Sequence, residues 1–369
     1  MKILITGASG FVGKNLVAEL KRRGYDDLFL FTRENSLEDL VQFTKECEFI
    51  FHLAGINRTI KEEEFMEGNF EFTSTLLELL KMHHNKSPIL FTSSIHAELP
   101  TPYGKSKKAT EDIVFNYRHE IGTEVYVYRL TNLFGKWSKP NYNSVVATFC
   151  YNIARDMDIQ IYNREAKLTL CYIDDVLEEF IKALENSPTK LSKYCNVSTT
   201  HSIKLGELAE RIESFKQIRT TLSIPNMEDA LTKKLYSTYL SFLPEDKFSY
   251  NLQMNIDNRG SFTEFIRTPN RGQVSVNISK PGITKGNHWH HTKNEKFLVV
   301  GGEGLIRLRK IDSDEIIEYH VKSEKLEVVD IPPGYTHSIE NVGEVDLVTV
   351  MWVNESFVSD MPDTIFMEV

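Results

Sequence analysis

The hydrophobic pattern of this chain changes period near residue 250, and that change limits the possible folds more than any single motif. Over residues 1–135, short apolar runs alternate with helix-like ones. Lys2–Thr6, Leu28–Thr32, Phe49–Ala54, Ile89–Ser93 and Val125–Leu130 read as buried strands. Between them, Phe11–Arg23, Leu37–Phe43, Glu71–His83 and about Lys105–Tyr117 carry helical spacing, with Leu16, Val17 and Leu20 on one face of the first. That order predicts a parallel sheet with helices on both faces. Residues 136–235 mix helix-like pieces (Ser144–Arg155, Val176–Leu184, Leu205–Phe215) with short strands, as a substrate lobe and lid would. From about Asn255 the runs become short and alternating: Gly272–Ile278, Glu295–Val300, Leu305–Arg309, Ile316–Val321, Leu326–Ile331 and Leu347–Val353. Turn signals such as Pro281-Gly282 and Pro332-Pro333-Gly334 separate them, which predicts a small antiparallel barrel or sandwich. The expected domains are therefore 1–245 and 246–369.

The chain has 369 residues, 41% of them hydrophobic, enough for two buried cores. Its formal net charge of −9 disfavours phosphate backbones, so nucleic acid is not an expected partner. Cys47, Cys150, Cys171 and Cys195 include no CxxC pair and sit in apolar contexts, as buried free thiols do. The opening Met1–Gly10 runs straight into a strand and turn and is too glycine-rich for a signal peptide. No apolar stretch reaches the roughly 20 residues of a membrane span, so the expected location is cytoplasmic.

The first strand leads into Gly7-Ala8-Ser9-Gly10-Phe11-Val12-Gly13 and then a helix. Glycines three apart permit a tight turn, approach of backbone N–H groups to a pyrophosphate, and close packing of helix on sheet. The helix N-terminus then faces the phosphates. This loop, strand and helix make a Rossmann-type doubly wound sheet the expected fold. The second strand ends in Thr32-Arg33 where an acidic residue would bind a ribose 2′-hydroxyl. Arg33 suits a 2′-phosphate, with Lys14 in support, so NADPH is the expected cofactor.

Tyr103 and Lys107 are spaced to share one helical face. An ammonium beside a phenol stabilises the phenolate and lowers the phenol's pKa, so Tyr103 can protonate a carbonyl oxygen as hydride reaches its carbon. Ser94 ends the preceding strand and supplies a second hydrogen bond to that carbonyl, with Ser93 as the alternative. In this order, glycine loop, Ser94, Tyr103 and Lys107 resemble the extended short-chain dehydrogenase/reductase family, many of whose members act on nucleotide sugars. The resemblance extends to Phe51-His52-Leu53-Ala54-Gly55 as a cofactor-contacting strand end and to Asn69 as a helix anchor. Arg129–Gly135 is similar to the family segment that meets the nucleotide sugar, and Tyr172–Val176 to a later family segment. Between Arg33 and Phe49 there is little room for the strand and acidic turn that many members carry.

In the C-terminal region, His288 and His290 alternate by two and would point to one face of a strand. Glu295 begins the next strand, and His337 follows the Pro332-Pro333-Gly334 turn. Three imidazoles and a carboxylate suit a borderline divalent ion, with Zn2+ the expected one. These residues resemble the two motifs of the cupin superfamily, although Leu326 stands where the second motif usually opens with glycine. The resemblance implies a jelly-roll β-barrel. Asp257–Glu264 and Gln273–Ser279 are also similar to sugar epimerases acting on dTDP-4-keto-rhamnose precursors. There the histidine matching His288 is a base, no metal is needed, and a late tyrosine is the acid; no such tyrosine lies near Val350–Val353. His288 is thus ligand, base, or neither alone.

A ketone connects the two chemistries, because it acidifies the neighbouring C–H and is also what a reductase consumes. The chain as a whole resembles the capsular polysaccharide synthesis family and its O-antigen relatives, in which both regions occur in this order. That resemblance implies a homodimer and a UDP-linked 4-keto-6-deoxy-N-acetylhexosamine substrate. It implies C3 epimerisation, then NADPH-dependent C4 reduction. Two other readings fit the same residues: a reductase whose β-domain is only structural, and a sensor that binds NADPH and metal without turnover.

Overall fold

The structure, a computed structural model, describes residues 1–356 and 362–369. The chain forms two compact units, one of Met1–Glu213 with Lys234–Pro244, the other of Ser214–Lys233 with Glu245–Val369. The chain therefore leaves the first unit and returns to it before the second is completed.

In the first unit, β1 (Ile3–Thr6), β2 (Leu28–Phe31), β3 (Phe49–His52), β4 (Ile89–Ser94) and β5 (Val125–Leu130) pair in parallel in the order β2-β1-β3-β4-β5. Alternate residues of each strand enter different cores. Ile3, Ile5, Phe49, Phe51 and Tyr128 pack with Leu16, Leu20, Phe180 and Ile181 on one face. Leu4, Ile50, Phe91 and Val127 pack with Leu40, Leu76, Leu80 and Val114 on the other. Burial on both faces explains why β1, β3, β4 and β5 are near-continuous apolar runs. The sheet ends at β2, and the helix Leu37–Glu46 occupies the short stretch after it. That helix is fixed by a capping box, Ser36 accepting from the Asp39 N–H at 3.2 Å and Asp39 accepting from Ser36 N–H at 2.9 Å.

All four cysteines are free and buried in the first unit. Burial pushes the Cys47 and Cys171 thiols up to about 12 and Cys195 to about 11, and raises Cys150 as well.

The second unit carries two antiparallel sheets. One runs Met254–Asp257, Gly260–Thr268, Gly272–Ser279, Leu347–Val353, Glu295–Gly301, Val328–Ile331; the other runs Ile316–Lys322, Glu303–Lys310, Tyr335–Asn341, Thr284–Trp289, Ile365–Phe366. Phe297, Val299, Ile306, Leu308, Val329, Ile339 and Leu347 form its core. Among the described residues the strands form these two sheets and no closed hydrogen-bonded ring. The sequence pattern missed Gly260–Thr268 because its buried positions include Ser261 and Thr263, and a bulge between Glu264 and Ile266 interrupts its alternation. The helix Ala230–Leu240 was missed too: its apolar residues are diluted by Thr232, Lys233, Lys234, Ser237 and Thr238.

Candidate functional site

The strand order reverses between β1 and β3, and ligands of open parallel sheets bind at such a crevice. The glycine loop and the segment Leu53–Gly55 lie side by side there. Gly7 has φ +71°, and its N–H donates to Phe31 O at 2.9 Å. A Cβ on Gly7 would stand 2.8 Å from Ala54 N, and one on Gly13 would stand 2.3 Å from Gly7 O. Both positions therefore need glycine for close approach. Gly10 caps the helix Phe11–Arg22 with no side-chain bond, and Ser9 and Gly10 are exposed. Phe11 and Val12 are half-buried beside them. The first-turn amides thus face outward for an anion. Leu53 N donates to Thr6 O at 3.2 Å and Ala54 N to Thr6 Oγ1 at 3.2 Å, joining the two strand ends. Arg33 is exposed in the turn after β2.

The helix Pro102–Ile121 begins with Thr101 as N-cap, accepting from Gly104 N at 3.1 Å, and with Pro at its first position. It carries Tyr103 and Lys107 inward. Lys107 is buried; its Nζ donates to Thr92 O at 3.1 Å and lies 5.2 Å from the centroid of Phe91. A Cβ on Gly55 would come within 3.1 Å of that nitrogen, so the ammonium borders the cofactor crevice. Burial lowers Lys107 to about 8, with Glu111 opposing the shift. Tyr103 differs from expectation. Burial raises its phenol above the ordinary value, against a hydrogen bond from Ser94 that lowers it. Desolvation of the phenolate outweighs that hydrogen bond, and the phenol stays protonated at neutral pH. Between the two candidate serines the geometry is clear: Ser93 Oγ donates to Glu111 at 2.6 Å and is buried, whereas Ser94 faces Tyr103.

Two groups were given no role of their own in the sequence. Glu111 is fully buried one turn beyond Lys107 and accepts from Ser93, from Arg129 Nε at 2.8 Å and Nη2 at 2.7 Å, and from Tyr194 at 2.9 Å. It ties the end of β4 to the helix. Its spacing from Lys107 was the available signal. Arg129, in the segment likened to a nucleotide-sugar contact, points its guanidinium at Glu111 and Glu98 and stacks on Tyr194. His52 is the second group: its ring nitrogens bond Thr6 Oγ1 and Thr73 Oγ1, each at 2.8 Å. Burial, with Lys107 nearby, lowers His52 to about 3. Thr73 donates to Asn69 O, and Asn69 brackets Ile56 through N–H and C=O contacts of 2.9 Å and donates to Ser106 at 3.0 Å. Asn69, in a π-helical turn at Met66–Glu71, thus bonds to the helix Pro102–Ile121 through Ser106.

In the second unit His288, His290, Glu295 and His337 converge, their ligand atoms all within 4.8 Å of one another. His288 pairs directly with His337 across the strands, with a bulge after Gly286 that swings it into place. His290 lies just past the end of its strand, and its ring still meets the group. His337 Nε2 stands 3.1 Å and His290 Nε2 3.8 Å from Glu295 Oε2. Burial lowers His288 to about 4; Glu295, despite burial, falls to about 2 because the imidazoles favour its carboxylate. His290 Nε2, Glu295 Oε2 and His337 Nδ1 are buried without hydrogen-bond partners. Three imidazoles and a carboxylate with ligand atoms this close together, His290 Nε2 and Glu295 Oε2 among the unsatisfied ones, fit a divalent metal ion. A cavity of about 700 Å³ opens beside His288, Glu295 and His337, with Asp257, Arg259 and Lys285 on its wall.

A family model described as NAD dependent epimerase/dehydratase family matches residues 3–197. The chain belongs to that family. A second model, Polysaccharide biosynthesis C-terminal domain, matches residues 255–365. The chain is 47% identical to a Pseudomonas aeruginosa protein named UDP-2-acetamido-2,6-beta-L-arabino-hexul-4-ose reductase, over 99% of this chain and 98% of that one. It is also similar to the crystal structure of the capsular polysaccharide assembling protein CapF from Staphylococcus aureus, at TM-score 0.95 and 52% identity over the whole of both chains. A second crystal form of the Staphylococcus aureus protein gives 0.89 and 49%, again over both whole chains.

Proposed function

We propose that this chain is a bifunctional nucleotide-sugar enzyme of capsule or O-antigen synthesis. Its C-terminal unit, a cupin, inverts C3 of a UDP-2-acetamido-2,6-dideoxy-4-hexulose. Its N-terminal unit then reduces the C4 ketone with NADPH to UDP-2-acetamido-2,6-dideoxy-L-talose, on the route to UDP-N-acetyl-L-fucosamine. The observation that carries the reading is a buried Lys107 bordering Gly55, one helical turn from a protonated Tyr103, in a chain related along its full length to a protein named as such a reductase.

In the N-terminal unit Gly7, Ser9, Gly10, Phe11, Val12 and Gly13 would cradle the pyrophosphate, with Leu53, Ala54 and Gly55 on the other side. Arg33 would meet the 2′-phosphate. A bound nicotinamide supplies the hydride to C4. Tyr103 gives its proton to the C4 oxygen, Ser94 donates a second hydrogen bond to that oxygen, and Lys107 stabilises the phenolate left behind and holds the nicotinamide ribose.

In the C-terminal unit His288, His290, Glu295 and His337 would hold the metal, with Zn2+ suited to three imidazoles and a carboxylate. Such an ion would supply positive charge that stabilises negative charge developing on the substrate as the acidic C3–H is lost. His288, held neutral, is either one of the ligands or the base that takes this proton. Inversion precedes reduction because an alcohol at C4 no longer acidifies C3–H. A cytoplasmic homodimer completes the reading.

The test is incubation with UDP-4-keto-6-deoxy-N-acetylhexosamine in D2O, read by proton NMR. Deuterium is expected at C3 without NADPH, and NADPH oxidation with it. No NADPH oxidation overturns the reductase. Oxidation without C3 exchange reduces the β-unit to a structural part. With His337→Ala, C3 exchange should vanish while reduction of pre-epimerised substrate persists.

A further inference from the structure

The chain end described beyond residue 361 lies against the metal-type cluster. Asp363 faces the turn that follows His290. Its carboxylate accepts three successive backbone N–H groups, from His291 at 2.9 Å, Thr292 at 2.8 Å and Lys293 at 3.0 Å, and the Thr292 hydroxyl at 3.1 Å. Its main-chain carbonyl accepts from His290 Nδ1. Ile365 and Phe366 then pair with Trp289 and His288, and Met367 N donates to Asn287 O at 3.0 Å. Thr336, next to His337, donates to Met367 O.

We propose that Asp363 is a positioning residue of the C-terminal site, fixing the tautomer and orientation of His290 so that Nε2 faces the bound ion. The inference rests on the metal reading above. An imidazole that donates from Nδ1 to a carbonyl must offer a lone pair at Nε2, and Nε2 of His290 is the atom left buried and unpartnered beside Glu295. His290 needs such a partner more than the other ligands. It stands outside the strand ladder, whereas His288 and His337 are held in register with each other. The carboxylate cap on His291–Lys293 fixes the turn, and the carbonyl fixes the ring.

The full chain and its Asp363→Ala, Asp363→Asn and Arg309→Ala variants test this. Arg309 donates to Glu368 O at 2.7 Å and so anchors the tail without touching His290. Zinc content after dialysis and zinc affinity by chelator competition are measured, with circular dichroism as the check on folding. D363A should bind zinc about 10- to 100-fold more weakly than the parent, D363N should fall between, and R309A should match the parent. Parent-like affinity in folded D363A overturns the inference alone, as does an equal loss in R309A. If D363A fails to fold, parent-like affinity in D363N overturns it. A parent chain that binds no zinc overturns the metal reading, and this inference with it.

Discussion

The two candidate sites are built in opposite ways. In the N-terminal unit the ligand-facing surface is mostly backbone: glycines stripped of side chains at Gly7 and Gly13, first-turn amides, and a strand end at Leu53–Gly55. Its candidate reactive side chains come from one strand end and the helix after it. In the C-terminal unit the surface is side chains, four polar groups brought from separate strands and a turn, three of them with a buried atom left unpaired. The first design suits a large, charged, dissociable molecule held by shape. The second concentrates unsatisfied ligands on a point, which suits an ion that stays. The teaching is that reversible and resident groups leave different marks: absent Cβ atoms for one, orphaned buried polar atoms for the other.

If the two sites act independently, damage to one should leave the other's chemistry intact. The largest effect is expected from Tyr103→Phe, which removes the proton donor. Its NADPH-dependent turnover should fall about 10²- to 10⁴-fold, with deuterium exchange at C3 unchanged in the same preparation. Loss of exchange as well would mean that the sites are coupled.

Next in size is Glu111→Gln. It leaves the Arg129 guanidinium, only 17% exposed, without its fully buried partner. Breaking a buried pair costs about 3–5 kcal/mol, which urea unfolding of the variant would register. Because Glu111 also supports the Lys107 ammonium, a folded sample should lose reductase activity at lower pH than the parent.

The parent's own pH profile is a smaller effect. Lys107 is protonated below about 8, so reduction should decline as pH rises through that value. The sign for stability is opposite. Between about 8 and the ordinary 10.5 the unfolded chain binds a proton that the folded chain does not, so Lys107's contribution to stability grows with pH over that interval. Turnover and unfolding followed on one pH series should diverge. A parallel decline of both would assign the limb to unfolding.

The smallest effect expected is from Arg33→Ala. An exposed guanidinium against a 2′-phosphate contributes modestly, so KM for NADPH should rise about 10-fold, or 1.4 kcal/mol, and KM for NADH should stay put. Equal change for both would remove Arg33 from the 2′-phosphate.

The two regions were also unequally legible. The glycine loop, Tyr103 and Lys107 stand on local spacing, and β1 to β5 appear within one or two residues of their apolar runs because burial on both faces leaves no ambiguity of period. Helix Pro102–Ile121 extends further than its pattern because Thr101, Pro102 and a left-handed Gly122 fix its ends. The polar strand Gly260–Thr268 hid its period among serine and threonine. Glu111, His52 and Asp363 were missed for a common reason. Each acts through partners distant in sequence, Arg129, Thr6 and His290, and apart from the spacing of Glu111 from Lys107 nothing local marks them. The rise of the Tyr103 phenol was equally hidden, since desolvation depends on what covers a side chain.

The distribution of thiols makes the chain its own reporter. All four cysteines lie in the N-terminal unit, sealed and far from ionising at neutral pH. A native molecule should therefore resist alkylation, and each mass increment from a maleimide or iodoacetamide marks an opening event in that unit alone. Unfolding of the β-unit is silent in this readout, so pulse labelling beside tryptophan fluorescence, with Trp289 and Trp352 in the β-unit and Trp137 in the other, can time the melting of each unit in an untagged, unmutated chain.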